Sequence, residues 1–403
     1  MTAPSFSVAD RPRVRLRPKV DARRIRHGHP WAYANEVVTD RRTKALAPGT
    51  LAVLEDDARS PIGVVAVNPA SRIFARMLDR DPVAQIDAAW LEARLARALD
   101  LRARLYDAPF YRLIHAEADG LPGVIIDRFD DVLVVQPNAA WAEALLDPLV
   151  DAAMAVTGAA TVIKNASGRT RTLEGLDDVS GVVRGSVPQG PIKVPMNGAT
   201  YMADVMGGQK TGLYFDQRPN HAFAQRLGRG ARVLDVFSHV GGFGLAAMAG
   251  GAAQVTCVDG AAPALALAAD GAAHMGAADR FDTRQGDAFD VLAALAAEEA
   301  RFDMVICDPP AFAPSRQALD AGLRAYERIA RLAAGLVTEG GILGLCSCSH
   351  AADLGKFHSA SARGIGRAGR SAALIHTGFA GPDHPQLPQL AETGYLTALF
   401  FRL

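Results

Sequence analysis

The spacing of apolar and polar residues changes character near residue 196. Before that point short alternating runs dominate. "RVRLRP" at 13–18 alternates charged and apolar residues, the period-2 pattern of a half-buried strand. "GTLAVLED" (49–56) and "PIGVVAVN" (61–68) are two further strand-like runs separated by a polar turn. Residues 83–107 instead place Ile86, Trp90, Leu91, Leu95 and Leu99 at helical spacing, which predicts one amphipathic helix. Strands are expected at "LPGVIIDRF" and "DVLVVQP", a helix near 141–156, and a strand at "ATVIKNA" followed by a basic turn, "SGRTRTLEG". From 196 onward strands alternate with Ala-rich helices: "RVLDVF", "GLAAMAG", "QVTCVDG", "PALALAADGAAHMG", "FDMVICDPP", "RAYERIARLAAGLV", "GILGLCSCS". Such βαβ alternation predicts a doubly wound parallel sheet with helices on both faces. The tail "YLTALFFRL" reads as a last apolar strand, antiparallel at or next to the edge. The boundaries expected are a β-rich domain over 1–80, a central α+β module over 81–195, and an α/β domain over 196–403.

Composition narrows the class without choosing a function. The chain has 403 residues, 49% hydrophobic and 21% charged, enough for packed cores and too apolar for global disorder. Net charge is zero, so bulk electrostatics points to no polyanion, but charge is unevenly spread. Residues 11–30 hold eight Lys or Arg and a single acid, Asp21. Solvated strand edges explain this; an RNA-facing patch explains it too and is favoured, with Arg13, Arg15, Arg17 and Arg24 as its contacts and Arg169 and Arg171 of the basic turn beside them. Four cysteines are too few for a disulfide scaffold, and Cys346 and Cys348 form C-x-C, not the C-x-x-C of zinc or redox sites, so no metal is expected. There is no apolar N-terminal segment and no run of about 18 apolar residues, which leads to a soluble, cytoplasmic chain with reduced thiols.

In a doubly wound sheet, ligands bind beyond the carboxyl ends of the strands. The first strand is followed by "SHVGGFG", whose glycines let backbone amides approach a ligand at a helix N-terminus. The spacing is G-G-x-G, so the dinucleotide fingerprint is absent. Asp259 ends the second strand, where an acid accepts hydrogen bonds from a ribose diol, and Asp287 in "QGDAF" stands where an adenine edge could be read. The fourth strand ends in Asp308-Pro309-Pro310, a stiffened turn that holds a carboxylate beside a planar base. The next strand ends in "CSCS". Thiolate addition to carbon 6 of cytosine makes carbon 5 nucleophilic, and a nearby acid stabilises the adduct. Period-2 geometry puts Cys346 and Cys348 on one face; the later residue is favoured as nucleophile, with inert burial of both as the plainer reading.

The chain resembles the large-subunit ribosomal RNA cytosine-C5 methyltransferases that carry an N-terminal PUA domain. The motifs are "RLRP…RRIRHGHPWAYANEV", "YRLIHAEADGLPGVIIDRF", "GQKTGLYFDQRPN", "VFSHVGGFG", "VDGA", "FDMVICDPPAF", "CSCSHA" and "DHPQLP…YLTALFFR", in the family's order over nearly the whole chain. The resemblance implies a PUA domain at 1–80 and a seven-stranded, Rossmann-like S-adenosylmethionine (SAM) methyltransferase domain at 196–403. It implies SAM contacts from Lys210, Asp216, Gln217, Arg218, Phe237, Gly241, Asp259, Asp287 and Asp308, catalysis by Cys348 with Asp308, and ribosomal RNA as partner, with no membrane and no metal and a homodimer allowed. Ala311 departs from the Lys common in the family after the two prolines. The rival readings are methylation of an exocyclic amine, a non-catalytic RNA-binding assembly factor and, more remotely, a dehydrogenase.

Overall fold

The computed structural model describes residues 10–208 and 211–403. The chain forms two compact units, one running to Gln189 and taking back Pro382–Thr393, the other made of Gly190–Gly381 and Gly394–Leu403.

In the first unit, strands Arg13–Arg15, Thr50–Glu55, Pro61–Val67, Ile73–Asp79 and Trp31–Tyr33 form a five-stranded sheet in that spatial order. The alternation at 13–16 is used as expected: Val14 and Leu16 are buried and Arg13 is exposed. A second five-stranded sheet runs Gly181–Arg184, Thr161–Lys164, Val132–Pro137, Val124–Phe129, Phe110–His115. The amphipathic helix spans Ala88–Leu105 and begins later than its apolar period, because the Asp87 side chain caps it by accepting from the Trp90 N–H at 2.9 Å. Leu91 and Leu95 are buried; Ile86, Trp90 and Leu99 pack against the same core.

The same helix buries Arg102 completely. Its guanidinium donates to both carboxylate oxygens of Asp119 at 2.7 Å and to the carbonyls of Arg112 and Asp383 at 2.9 Å. Asp383 also accepts from the Arg112 N–H at 3.1 Å. These bonds attach "PDHPQLP" to the first unit, whereas the sequence pattern assigned everything after 195 to the α/β domain.

One member of the expected RNA-facing patch, Arg171, needs correction. The segment after Lys164 is a helix, Arg169–Glu174, and Arg171 is 1% exposed. Arg171 donates to Glu143 Oε2 at 2.8 Å, to the Pro137 carbonyl at 2.6 Å and to the Asp177 carbonyl at 2.7 Å, so it is an internal strut and not an RNA contact. Near the N-terminus, Arg13 pairs with Glu55 at 2.5 Å, Arg24 with Glu36 at 2.7 Å and Arg26 with Asp56 at 2.8 Å. Arg17 is exposed but donates to the Val37 carbonyl at 2.8 Å. The three paired acids, Glu36, Glu55 and Asp56, lie outside this stretch of sequence.

The second unit opens with an antiparallel hairpin, Ile192–Met196 with Ala199–Ala203. Seven strands follow: β1 Arg232–Val236, β2 Gln254–Asp259, β3 Phe281–Gln285, β4 Phe302–Cys307, β5 Val337–Ser347, β6 Ala373–Gly378 and β7 Thr397–Arg402. Their spatial order is β3-β2-β1-β4-β5-β7-β6. β7 runs antiparallel to both β5 and β6 and lies next to the edge, as the tail pattern suggested. The helices are α1 Arg218–Leu227, α2 Gly242–Ala249, α3 Ala262–His274, α4 Ala288–Ala297, α5 Leu319–Ala334 and α6 Leu354–Arg367. Leu234, Val236 and Val258 share a core with Leu292 of α4, Ile329 of α5 and Phe357 of α6. Asp235 and Cys257 lie opposite, toward α2: the Gly244 N–H donates to Asp235, and a Cβ on Gly244 would come within 2.7 Å of Cys257 Sγ. The fold is thus the doubly wound sheet expected.

Removing the buried Arg171 guanidinium leaves the Pro137 and Asp177 carbonyls without their donor, while Glu143 keeps its pair with Lys164. Arg171→Ala is therefore expected to lower the unfolding free energy by about 1–3 kcal/mol in urea titrations. The same change at exposed Arg169 should cost no more than about 0.5 kcal/mol. Equal small losses at both sites would contradict the structural role assigned to Arg171.

Candidate active site

The carboxyl ends of β1, β2, β4 and β5 open on one cavity of about 480 Å³. The loop after β1 is the most constrained part of its wall. Phe237, His239 and Gly241 all have positive φ, at 62°, 49° and 82°. For the two non-glycines this costs about 1–3 kcal/mol each, and the surroundings hold it in place. The Ser238 N–H donates to the Val258 carbonyl at 3.0 Å, the His239 N–H to Asp259 Oδ2 at 2.9 Å, and the Gly244 N–H to Asp235 Oδ2 at 2.7 Å. Asp235 supports the glycine loop from below. Its complete burial is the main reason its carboxyl is pushed up to about 7.

Asp259 lines the cavity at the end of β2. Its Oδ2 takes the His239 N–H and its Oδ1 the Ala261 N–H at 2.8 Å, and each carboxylate oxygen has a second lone pair to offer. Asp216 and Gln217 reach the same cavity from the segment before α1. Asp216 Oδ2 accepts the Tyr395 hydroxyl at 2.6 Å.

Phe237, Asp308, Pro309, Pro310, Ala311 and Cys348 also line the cavity. β5 ends at Ser347, so Cys348 is the first residue past the strand, half-buried, with Sγ 4.0 Å from the Pro309 carbonyl oxygen. Cys257, Cys307 and Cys346 are buried, and burial raises each of those thiols far above the usual range. Of the four cysteines only Cys348 reaches the cavity.

Of the sequence candidates, Asp216, Gln217, Phe237, Asp259, Asp308 and Cys348 share this cavity. Gly241 turns the chain behind its wall, as the left-handed N-cap of α2. Two candidates are displaced. Arg218 lies over the Phe215 ring at 5.5 Å and is not among the cavity's lining residues. Asp287 is exposed and caps α4, accepting from the Phe289 N–H at 2.9 Å, outside the cavity wall. Lys210 lies outside the described residues. His384 belongs to the first unit, where it contacts Asp383 at 3.0 Å, and His350 is exposed beyond β5.

Three lining residues went unnoticed in the sequence. Tyr214 stands edge-on to His239 at 4.9 Å, and burial first, then Asp216 and Asp308, push its phenol up to about 12, so it stays protonated. His221 is buried and pushed down to about 3 by that burial, so it is neutral; a Cβ on Gly242 would lie 2.8 Å from its Nε2. Tyr395 precedes β7 in a loop, where the apolar tail pattern hid it. Among the described residues, no group of three or more His, Cys, Asp or Glu could hold a metal ion, and no helix is long and apolar enough to cross a membrane.

Residues 158–402 match the family described as S-adenosylmethionine-dependent methyltransferase, and residues 14–80 match a PUA-like domain. The chain is 35% identical over 395 residues to a Shewanella denitrificans protein named Ribosomal RNA large subunit methyltransferase I, covering 97% of this chain and 99% of that one. A Deinococcus radiodurans protein named Ribosomal RNA large subunit methyltransferase is 35% identical over the full length of both chains. In fold, the chain matches a candidate SAM-dependent methyltransferase of Streptococcus mutans with a TM-score of 0.80 at 19% identity, over 97% of this chain and all of the other. A candidate methyltransferase complexed with SAH matches equally well, with a TM-score of 0.80 over 98% of this chain.

Native protein treated with iodoacetamide should be alkylated at Cys348 and nowhere else, read by peptide mass mapping. The other three thiols should react only after unfolding. Modification of Cys346 at a comparable rate would contradict its burial.

Proposed function

The chain belongs to the S-adenosylmethionine-dependent methyltransferases, and on that premise we propose that it methylates carbon 5 of a cytosine in large-subunit ribosomal RNA through a covalent adduct on Cys348. The observation that carries this reading is that the one cysteine open to the cavity shares it with Asp308. The relatives' names support ribosomal RNA as the substrate class.

The residues fit the cofactor. His221 Nδ1 is buried on the cavity wall without a protein hydrogen-bond partner, which suits a polar ligand. Asp259 would accept from a ribose diol, and Phe237 offers an apolar surface to a heteroaromatic ring. When bound, SAM supplies an electrophilic methyl group.

The rest of the chemistry belongs to this chain's side chains. Cys348, as thiolate, adds to carbon 6 of the cytosine, and the C5–C6 π electrons become available at carbon 5. Asp308 holds a proton toward ring N3 and so stabilises the anionic adduct. Once carbon 5 carries its methyl group, the carbon 5 proton passes to solvent, the C5–C6 double bond re-forms as the Cys348 thiolate leaves, and Asp308 keeps the proton it shared with N3. The Asp308-Pro309-Pro310 turn keeps the carboxyl in place, with the Asp308 N–H donating to the Val236 carbonyl at 3.1 Å.

Exocyclic-amine methylation fits less well. That chemistry uses an aromatic residue directly after the two prolines to stack on the base. Here Ala311 occupies the position, and Phe312 turns inward against Tyr326 at 5.0 Å and Phe289 at 6.1 Å. A non-catalytic assembly role gives Cys348 and the acid-lined cavity no use. Exposed Arg17 and Arg169 remain candidates to follow an RNA backbone, acting in the cytoplasm where ribosomes mature.

Cys348→Ala should abolish methyl transfer while SAH binding, measured by calorimetry, stays within about twofold, since the thiol meets the base and not the cofactor. Ribosomal RNA from cells lacking the gene should lose one 5-methylcytosine, and an N4-methylcytosine lost instead would overturn the reading. Asp259→Ala should weaken SAH binding by about 1–3 kcal/mol through an unpaired diol. Unchanged affinity would remove Asp259 from the site.

A further inference from the structure

We infer that Tyr326 is a positioning residue for Cys348, its buried hydroxyl clamping the two serines that flank the thiol. The inference rests on the reading of Cys348 as nucleophile.

The observation is a closed set of hydrogen bonds. Ser347 Oγ donates to Tyr326 Oη at 2.9 Å, and Tyr326 Oη and Ser349 Oγ are 2.7 Å apart. The Ser349 N–H returns to Ser347 Oγ at 3.2 Å. All three side chains are buried, at 1% for Ser347, 1% for Tyr326 and 2% for Ser349. Cys348 lies between the two serines and is the only residue of Ser347–Ser349 that reaches the cavity.

The clamp has a mechanical reason. β5 stops at Ser347, so the ladder no longer fixes the backbone at Cys348. A thiol that must meet carbon 6 of a base loses rate steeply if its direction wanders, and an error of an ångström is enough to matter. Fixing the residues on both sides of Cys348 to one point fixes that direction without touching the sulfur.

The same set reaches the acid. The Ala313 N–H donates to Ser349 Oγ at 3.0 Å, tying the turn that carries Asp308, Pro309 and Pro310 to the nucleophile segment. Tyr326 itself comes from α5, and its ring is wedged 5.0 Å from both Phe312 and Phe357. α5 approaches the Asp308 turn closely enough that a Cβ on Gly322 would fall 2.7 Å from the Phe312 carbonyl oxygen. One phenol therefore sets Cys348 and Asp308 relative to each other. Burial also raises the Tyr326 pKa, which keeps the hydroxyl protonated.

The test uses the full-length protein. Tyr326→Phe keeps the ring and its packing and deletes only the clamp. Three readouts are compared with wild type: single-turnover methyl transfer to RNA, SAH affinity, and the pH profile of Cys348 alkylation by iodoacetamide. The inference expects transfer to slow by roughly 10- to 100-fold, SAH affinity to hold within about twofold, and the alkylation profile to move. Ser349→Ala should behave similarly, and the double variant should be no slower than the worse single one, because both remove the same clamp. Wild-type transfer rate and an unmoved alkylation profile in Tyr326→Phe would overturn the inference, as would a lowered melting temperature with both readouts unchanged in the folded protein. An active Cys348→Ala control marks the other failure, that of the nucleophile reading itself.

Discussion

The site depends on the register between β4 and β5. Cys307 pairs with Leu345, and on the far side Cys346 and Ser347 pair with Ala398 and Thr397 of β7. This brings Asp308 and Cys348 out at the same edge of the sheet, one residue beyond each strand. A slip of a single residue would reverse every side chain on β5 and turn Cys348 away from the cavity. Buried packing enforces the register: Gly344 lies so close to Ile306 and Phe400 that a Cβ there would meet both at 3.1 Å. A strand buried on both faces and paired on both edges has little freedom to shift.

A second constraint follows from the first. β1 lies in the middle of the sheet, and the loop leaving it adopts left-handed backbone at two non-glycine residues, Phe237 and His239. Asp235 and Asp259 supply the acceptors that hold this loop open to the cavity. The arrangement keeps backbone strain and two carboxylates in a region that burial alone would disfavour. The clamp at Tyr326 does the corresponding work at the other end of the cavity, with neutral hydroxyls in place of carboxylates.

The sequence made the second unit legible because strand and helix periods there are strong and the chemistry sits where strands end. That rule alone put Asp259, Asp308 and Cys348 at the cavity, and Asp216 and Gln217 were put there only through family resemblance. The differences between the local reading and the structure share a physical cause. Arg171 and Asp287 were read from local charge and motif position, but their surroundings are set elsewhere. Arg171 is neutralised by Glu143, far off in the sequence, and Asp287 is taken up by the helix it begins. The return of Pro382–Thr393 to the first unit depends on Arg102 and Asp383, 281 positions apart. No periodicity reports such a pairing. Tyr326 was equally hidden, because at its helical spacing it reads as one more core aromatic.

The basic stretch at 11–30 illustrates the same point for binding. Along the chain its eight cations face one acid; in space Glu36, Glu55 and Asp56 answer three of its arginines. Under the proposed function, RNA binding relies on fewer cations than the composition suggests. The central claim, a covalent bond between Cys348 and the base, is tested most directly by trapping it. RNA carrying 5-fluorocytosine blocks removal of the carbon 5 substituent, so the methylated adduct cannot break down. Mass mapping of the denatured complex should find the nucleotide attached to Cys348. A bond to Cys346, or no denaturant-resistant complex while unmodified RNA is methylated normally, would contradict the account.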